Sequence, residues 1–148
     1  MNQFITHSAE ETIAWGRNFA LSLKEGDVIC LHGDVGAGKT TLVRGIAQGL
    51  GLNANEFVAS PTFVMMHRYA CRIPLYHFDC YRIQSLNDLV AIGFEEFVNA
   101  GGGVACIEWS EKAGDLIPKE SISITLNHGG EGTRHIRVER EGKKLIEI

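Results

Sequence analysis

The sequence predicts an α/β fold in which helices flank a mainly parallel core sheet and antiparallel strands are added towards the C-terminus. Three observations support this. The apolar run Val28–Leu31 is typical of a strand buried on both faces, and it leads through a glycine-rich loop into a helical pattern. A second apolar run, Val104–Ile107, ends on an acid. Residues 122–126, 134–140 and 144–148 alternate apolar with polar side chains, which favours antiparallel strands with one solvated face.

The composition is that of one globular domain. The 148 residues are 45% hydrophobic and 22% charged, so the chain can bury a core of ordinary size. No apolar stretch approaches the roughly 20 residues that span a membrane, and no signal-peptide pattern opens the chain. The four cysteines form no C-x-x-C pair, and because no export signal is visible we expect reduced thiols and a cytoplasmic location. A net charge of −4 argues against broad, non-specific nucleic-acid binding.

The first fifty residues predict the order strand, helix, strand, loop, helix. Phe4–Thr6 suggests a short first strand. Ser8 and Glu11 have the spacing of a capping box, which opens a helix that we expect Gly26 to end. After the glycine-rich loop, apolar residues recur at helical spacing as far as residues 49–51.

The glycine-rich loop carries the clearest functional signal. Gly33–Thr40 reads G-x-x-x-x-G-K-T, the phosphate-binding loop of P-loop nucleotide enzymes. Its glycines permit positive φ angles, so backbone N–H groups can turn inward and form an anion-binding nest. Lys39 brings positive charge to the β- and γ-phosphates, and the Thr40 hydroxyl is placed to ligate Mg²⁺. Because a strand precedes this loop and a helix follows it, we predict a P-loop NTPase-like fold rather than a chance glycine turn.

A polar loop follows the second helix. In it, Pro61 pushes the preceding residue towards an extended conformation and leaves two hydroxyls, Ser60 and Thr62, on an exposed segment. Such a segment either senses the γ-phosphate, as switch loops do, or is an ordinary turn.

The middle of the chain predicts two strands and a helical region. Residues 63–69 and 72–78 have strand character and are joined by a tight connection. A second capping box, Ser85–Asp88, opens a helix that extends to residue 97 and is interrupted at Gly93. Three glycines, residues 101–103, stop it.

Two carboxylates fit the acid that a P-loop enzyme places near its metal. Asp79 and Glu108 each follow an apolar strand, and ligands collect at such strand ends in open α/β sheets. Glu108 occupies a Walker-B position, with Glu in place of the usual Asp. One acid could hold the metal while the other orients water, and the residues alone leave this division open. Either could instead be a surface carboxylate.

Missing motifs narrow the function. The chain has no N-K-x-D string for guanine and no Arg-rich lid segment of the nucleoside-kinase type. The remaining candidate is a small ATPase whose hydrolysis drives a partner. We predict one P-loop ATPase domain that spans residues 1–148. Two alternatives stay open: an ATP-switched binding module whose hydrolysis is incidental, and a small-molecule kinase.

Four strings in this order give a specific resemblance: G-D-V-G-A-G-K-T-T, S-P-T-F, Y-H-F-D-C-Y-R and I-E-W. Together they resemble the TsaE (YjeE) family, bacterial ATPases of tRNA threonylcarbamoyladenosine biosynthesis. The resemblance implies binding of ATP with Mg²⁺ and slow hydrolysis unless the protein assembles with the TsaD–TsaB pair. It further implies that hydrolysis resets that complex between turnovers, so that contact with tRNA is indirect. We expect a monomer or weak oligomer.

The resemblance also assigns site residues. Lys39, Asp79 and Thr62 would be catalytic, with Thr62 as the switch-loop hydroxyl and Asp79 polarising or positioning water. Thr40 and Glu108 would ligate Mg²⁺, and Trp109 would shape the site or a partner surface. The implied nucleotide-binding set is Gly33, Val35, Gly36, Ala37, Gly38, Lys39, Thr40, Thr41, Asp79 and Arg134.

Overall fold

The computed structural model describes residues 2–34, 36–56, 58–61, 65–99 and 102–140, which form a single seven-stranded sheet with helices on its two faces. The strands are β1 (Asn2–Thr6), β2 (Val28–His32), β3 (Met66–Tyr69), β4 (Leu75–Asp79), β5 (Val104–Glu108), β6 (Ile122–His128) and β7 (Arg134–Arg140). The α-helices are α1 (Ala9–Phe19), α2 (Lys39–Gly49), α3 (Leu86–Ala91) and α4 (Phe94–Asn99). Within the described ranges, no helix has the length and apolar character that crossing a membrane requires.

The centre of the sheet is parallel, as predicted. The strand order is β1-β7-β6-β2-β5-β4-β3, and the four strands from β6 to β4 run in one direction. β3, β7 and β1 add antiparallel pairs at the two edges. The predicted α/β class is confirmed, and the carboxyl ends of β2, β4 and β5 meet at one edge of the sheet.

β6 has the predicted antiparallel neighbour on one side and a parallel neighbour on the other. The alternating pattern of residues 122–126 predicted an antiparallel strand, and β6 is antiparallel to β7, but it also pairs in parallel with β2, for example Leu31 with Ile124. The alternation arises because one face of β6 is buried and the other is only partly covered. The alternation of apolar and polar residues shows how deeply each face of a strand is buried. It does not show whether the strand runs parallel or antiparallel to its neighbours. The third predicted C-terminal strand, residues 144–148, lies outside the described residues.

Two apolar layers cover the sheet. On one face, α1 and α2 pack over side chains such as Ile29, Leu31 and Ile124. On the other face, α3, α4 and a 3-10 helix, Ser110–Leu116, pack over Phe78 and Ile107. β2, β4 and β5 are therefore buried on both faces, as their continuous apolar runs predicted.

The helix boundaries agree with the capping signals, with two exceptions. The Ser8 Oγ accepts from the Glu11 N–H at 3.1 Å, but the Glu11 carboxylate accepts from the His7 N–H at 2.9 Å rather than from the cap residue itself. α1 also ends at Phe19, with a 3-10 turn to residue 22, and does not continue to Gly26. The chain leaves the helix early because Leu23, which adopts an extended conformation, is buried in the core. The predicted interruption at Gly93 separates α3 from α4.

Candidate functional site

The glycine-rich loop joins β2 to α2 at the carboxyl edge of the parallel strands. Gly36 and Gly38 have φ angles of 83° and 103°, which side chains with a Cβ rarely adopt. The Ala37 N–H donates to the Asp34 carbonyl at 2.9 Å and closes a tight turn. Gly38 is the N-cap of α2, so the positive end of an 11-residue helix faces the space in front of the loop. Val35 lies outside the described residues.

A buried chain of three charged or polar side chains begins at this loop. The Lys39 Nζ lies 3.6 Å from the Glu108 Oε1, and the His77 Nε2 lies 2.7 Å from the Glu108 Oε2. Their side chains are 10%, 5% and 0% exposed. In this low-dielectric position the ammonium charge of Lys39 is balanced by one carboxylate, and that carboxylate is held from both sides.

The second strand-end acid lies beside the first. Asp79 is the last residue of β4 and pairs in register with Glu108, the last residue of β5. Its Oδ1 accepts from the Tyr81 N–H at 2.9 Å, and its Oδ2 accepts from the Ser60 Oγ at 3.2 Å. The Ser60 contact brings the hydroxyl-bearing loop to the acid. Thr62, the predicted switch hydroxyl in that loop, lies outside the described residues.

An aromatic wall closes one side of the site. Trp109 directly follows Glu108 with a φ of 57°, a left-handed conformation that a tryptophan adopts only when its surroundings hold it there. The Lys39 Nζ lies 5.4 Å from the centre of the Trp109 ring, and the Tyr81 ring packs against that ring at 5.0 Å. Trp109 therefore lies in the wall of the cleft, next to Lys39.

Arg134, the first residue of β7, reaches the phosphate loop from across the sheet. Its Nε donates to the Ala37 carbonyl at 2.8 Å and its Nη2 to the Gly36 carbonyl at 3.4 Å. Its Nη1 donates to the Thr133 carbonyl at 2.9 Å. In this structure the guanidinium thus holds the backbone of the loop in place.

These groups line one cleft of about 710 Å³. Its lining residues are Gly36, Gly38, Lys39, Thr40, Thr41, Ser60, Asp79, Tyr81, Glu108, Trp109 and Arg134. Nine of the predicted site residues, Trp109 among them, are in this list. Gly33 and Ala37 belong to the loop behind it. A second cavity, of about 560 Å³, lies beside β1 and β7 and is lined by none of the predicted residues.

The cleft has the groups that a phosphate and a divalent cation need. Backbone N–H groups, a helix N-terminus and the buried ammonium of Lys39 suit phosphate oxygens. The Thr40 hydroxyl and the Glu108 carboxylate are hard oxygen donors, which Mg²⁺ prefers. In the described ranges, no three His, Cys, Asp or Glu side chains are grouped so that they could hold a metal by themselves. The donor set that fits is therefore two protein oxygens completed by phosphate and water oxygens.

Sequence reasoning missed the partners of the two acids. His77 was not predicted to contact Glu108, and neither Ser60 nor the Tyr81 N–H was expected to contact Asp79. A signal for His77 exists, because alternation along a strand puts residues 77 and 79 on the same face of β4. Its contact with Glu108 requires the β4–β5 register, in which His77 lies opposite Cys106, two residues before Glu108.

A buried parallel strand that runs through a glycine loop into a helix, with acids at the ends of the neighbouring strands, defines a P-loop NTPase-like fold. The family model described as "Threonylcarbamoyl adenosine biosynthesis protein TsaE" matches residues 6–136. The chain therefore belongs to the TsaE family.

Relatives and a solved structure agree with this assignment. A Treponema pallidum protein named tRNA threonylcarbamoyladenosine biosynthesis protein TsaE is 41% identical over 134 residues, which cover 90% of this chain and 97% of that protein. A Bacillus subtilis protein of the same name is 36% identical over 140 residues, covering 94% and 85%. The crystal structure of Bacillus subtilis YdiB superimposes with a TM-score of 0.74 at 34% identity, covering 91% of this chain and 82% of that one.

Proposed function

We propose that this protein is a Mg²⁺-dependent ATPase of low intrinsic activity that acts in tRNA threonylcarbamoyladenosine biosynthesis. In this proposal it works in the cytoplasm as a single domain and resets the TsaD–TsaB transferase complex between turnovers. Family membership supports the pathway. The observation that carries the proposed chemistry is the buried Lys39–Glu108 pair, which lies in one cleft with Asp79 and the phosphate loop.

The phosphate loop would bind the β- and γ-phosphates. Lys39 is paired with Glu108 at 3.6 Å, too long for a strong hydrogen bond, so its ammonium can turn to a phosphate at small cost. The N-terminal end of α2 and the backbone N–H groups of the loop would add fixed positive potential. Positive potential that the fold itself holds in place is the form of electrostatic stabilisation that is most effective in catalysis.

The two acids, Glu108 and Asp79, would have different roles in hydrolysis. When bound, Mg²⁺ neutralises charge on the transferred phosphoryl group. Thr40 and Glu108 are the residues that would hold it. Asp79 would then be the acceptor that orients the attacking water, because the Tyr81 N–H and the Ser60 hydroxyl fix its carboxylate at the edge of the cleft. Thr62 remains our candidate for the switch-loop hydroxyl, two residues after the Ser60 contact.

The hydrogen bonds of Arg134 support the proposal that ATP hydrolysis depends on a partner. Three of the five N–H groups of its guanidinium donate to backbone carbonyls, and two of those carbonyls belong to the phosphate loop, so in this arrangement Arg134 mainly stabilises the loop. Assembly with TsaD–TsaB would supply the further order or charge that the γ-phosphate needs. We therefore expect slow hydrolysis by the isolated chain.

The proposal is tested by following turnover of the TsaD–TsaB complex with ATP and with a non-hydrolysable analogue. Hydrolysis-driven resetting predicts multiple turnovers with ATP and a stop after about one with the analogue. Equal turnover with both would make the protein an ATP-switched binding module. Transfer of radiolabelled γ-phosphate to an acceptor, instead of its release as free phosphate, would make it a kinase.

A further inference from the structure

His77 is a buried imidazole that contacts Glu108, one of the residues lining the cleft. It lies in the middle of β4, is 0% exposed, and its Nε2 is 2.7 Å from the Glu108 Oε2. Among the described residues, its Nδ1 has no hydrogen-bond partner. The imidazole thus makes one strong polar contact, and that contact is with Glu108.

The direction of this hydrogen bond follows from the acceptor. An ionised carboxylate only accepts, so the Nε2 of His77 carries the hydrogen that Glu108 receives. The Nδ1 is then a bare lone pair, which is cheaper to bury without a partner than an N–H group would be. The network therefore assigns the Nε2–H tautomer.

An apolar side chain would fill this position at lower cost if packing were its only purpose. Burying an imidazole with one nitrogen unpaired costs free energy, whereas the flanking strand residues Leu75 and Phe78 are ordinary core side chains. Asp79 shows the alternative, because backbone and hydroxyl donors from nearby turns hold it without a buried ring. Among the residues that the structure describes, Glu108 has no such donor, and its support comes from Lys39 and His77.

The length of Glu108 explains why it needs this support. Glutamate has one more rotatable bond than the aspartate usual at a Walker-B position, so its carboxylate has more orientations to lose. We propose that His77 is a positioning residue for Glu108: it holds Oε2 so that Oε1 faces Lys39 and would be available to a bound Mg²⁺. This inference rests on the proposed function, in which Glu108 holds Mg²⁺. In metal sites generally, residues that hydrogen-bond to a ligand of the metal orient that ligand in the same way.

The test compares His77→Gln with His77→Met. Glutamine and methionine have similar length and volume, but only glutamine can donate a hydrogen bond where Nε2 does. Mn²⁺ binding to the full chain at saturating ADP is measured by electron paramagnetic resonance, and ADP affinity is measured separately in EDTA. The matched control is His67→Met on β3, whose ring contacts Tyr69 and not Glu108.

We expect His77→Met to weaken Mn²⁺ binding about tenfold while its ADP affinity in EDTA stays within about twofold of the unmodified protein. His77→Gln should recover most of the Mn²⁺ affinity, and His67→Met should retain it. Unchanged Mn²⁺ affinity in His77→Met, an equal loss in EDTA, or no recovery by glutamine would overturn the positioning role. The inference rests only on the part of the proposed function that places a metal and nucleotide site at Glu108, and failure of that part is a different result, since the unmodified protein would then bind neither ADP nor Mn²⁺ with ADP.

A measurement on the unmodified protein covers the case in which His77→Met does not fold. Long-range ¹H–¹⁵N spectra of the histidine rings distinguish the two neutral tautomers. The Nε2–H tautomer is expected for His77, with its proton protected from solvent exchange. The Nδ1–H tautomer would contradict the hydrogen bond on which the proposal stands.

Discussion

Among single residues, Glu108 is the one that links the other charged and polar side chains of the cleft. Three functional groups converge on one buried carboxylate: the Lys39 ammonium, the His77 imidazole and, through the pairing of β4 with β5, the neighbouring Asp79. A buried charge is tolerated only when it is paired and hydrogen-bonded, and both conditions hold here. The ion pair with Glu108 keeps the Lys39 side chain extended towards the cleft.

Replacing Lys39 by methionine removes the charge and keeps much of the side-chain volume. We expect ADP affinity in the presence of Mg²⁺ to fall about 10- to 100-fold, because hydrogen bonds to charged groups contribute roughly 1.5–3 kcal/mol. Isothermal titration calorimetry measures the change. Lys119→Met is the control, since Lys119 is exposed and precedes β6 at the opposite end of the parallel strands. An unchanged affinity in Lys39→Met would remove Lys39 from the phosphate site.

Site residues that belong to a short sequence pattern could be predicted. Contacts that depend on how two strands pair could not. Lys39 and Thr40 follow from the spacing of a single loop, and Asp79 and Glu108 follow from apolar runs that end in acids. The contact of His77 with Glu108 depends on how β4 and β5 align, which no local pattern reports. Arg134 was predicted near the nucleotide, and its hydrogen bonds to loop carbonyls became visible only in the folded chain.

At the scale of elements, β7 stabilises the phosphate loop. Arg134→Lys retains the charge but loses the planar guanidinium that contacts two loop carbonyls, so the loop is less well ordered before phosphate binds. We expect ADP and ATP affinities to fall by the same factor, on the order of tenfold. Arg137→Lys, on the same strand but exposed and paired with Glu139, is the matched control. A loss confined to ATP would indicate a direct contact with the γ-phosphate instead.

The packing of α1 on α2 also depends on small side chains. A Cβ added to Gly45 would collide with the backbone of Ile13, and one added to Gly49 would lie 2.5 Å from the Arg17 carbonyl oxygen. These neighbours are backbone atoms that cannot move independently of α1. Gly45 therefore allows α2, which carries the phosphate loop at its start, to approach α1 closely.

Gly45→Ala should lower the free energy of unfolding by about 1–3 kcal/mol, as overpacked cores do, although alanine favours helix formation. Chemical denaturation measures the change. Gly102→Ala is the control, because its added Cβ would only make an ordinary 3.7 Å contact with the Tyr76 hydroxyl. Equal stability of the two variants would contradict the close packing of α1 on α2.

Element types were more predictable from sequence than the neighbours of each element. The buried runs of β2, β4 and β5 and the break at Gly93 have strong local patterns. The position of β6 beside β2 does not, because the chain crosses from β5 to the far side of β2 before β6 begins. The early end of α1 was also hidden, since the burial of Leu23 is a tertiary effect.

At the scale of the whole molecule, stability should decrease in alkaline solution. Burial raises the pKa of the Cys30 and Cys106 thiols and, with repulsion from Asp79, raises the pKa of Cys80 to about 12 from an ordinary value of 9.0. The folded state keeps these protons while the unfolded state releases them as the pH rises past 9. Stability is therefore retained below pH 9 and lost above it, by on the order of 1 kcal/mol per buried thiol for each pH unit.

Denaturant unfolding between pH 7 and pH 10 tests this pH dependence. The unmodified protein should lose stability above pH 9, and Cys30→Ala should show a shallower slope, whatever its absolute stability. The control is Cys71→Ala, whose thiol is only half-buried and should contribute less to the slope. A stability that stays constant from pH 8 to pH 10 would contradict the burial of these thiols.

The central claim is that this chain hydrolyses ATP in the service of a partner complex. The most direct measurement is the rate of phosphate release from ATP with Mg²⁺, by the isolated chain and after addition of TsaD–TsaB. We expect slow release by the chain alone and a marked acceleration in the complex, lost in Glu108→Ala. A rate that TsaD–TsaB leaves unchanged, or full Mg²⁺-dependent activity of Glu108→Ala in the complex, would contradict it.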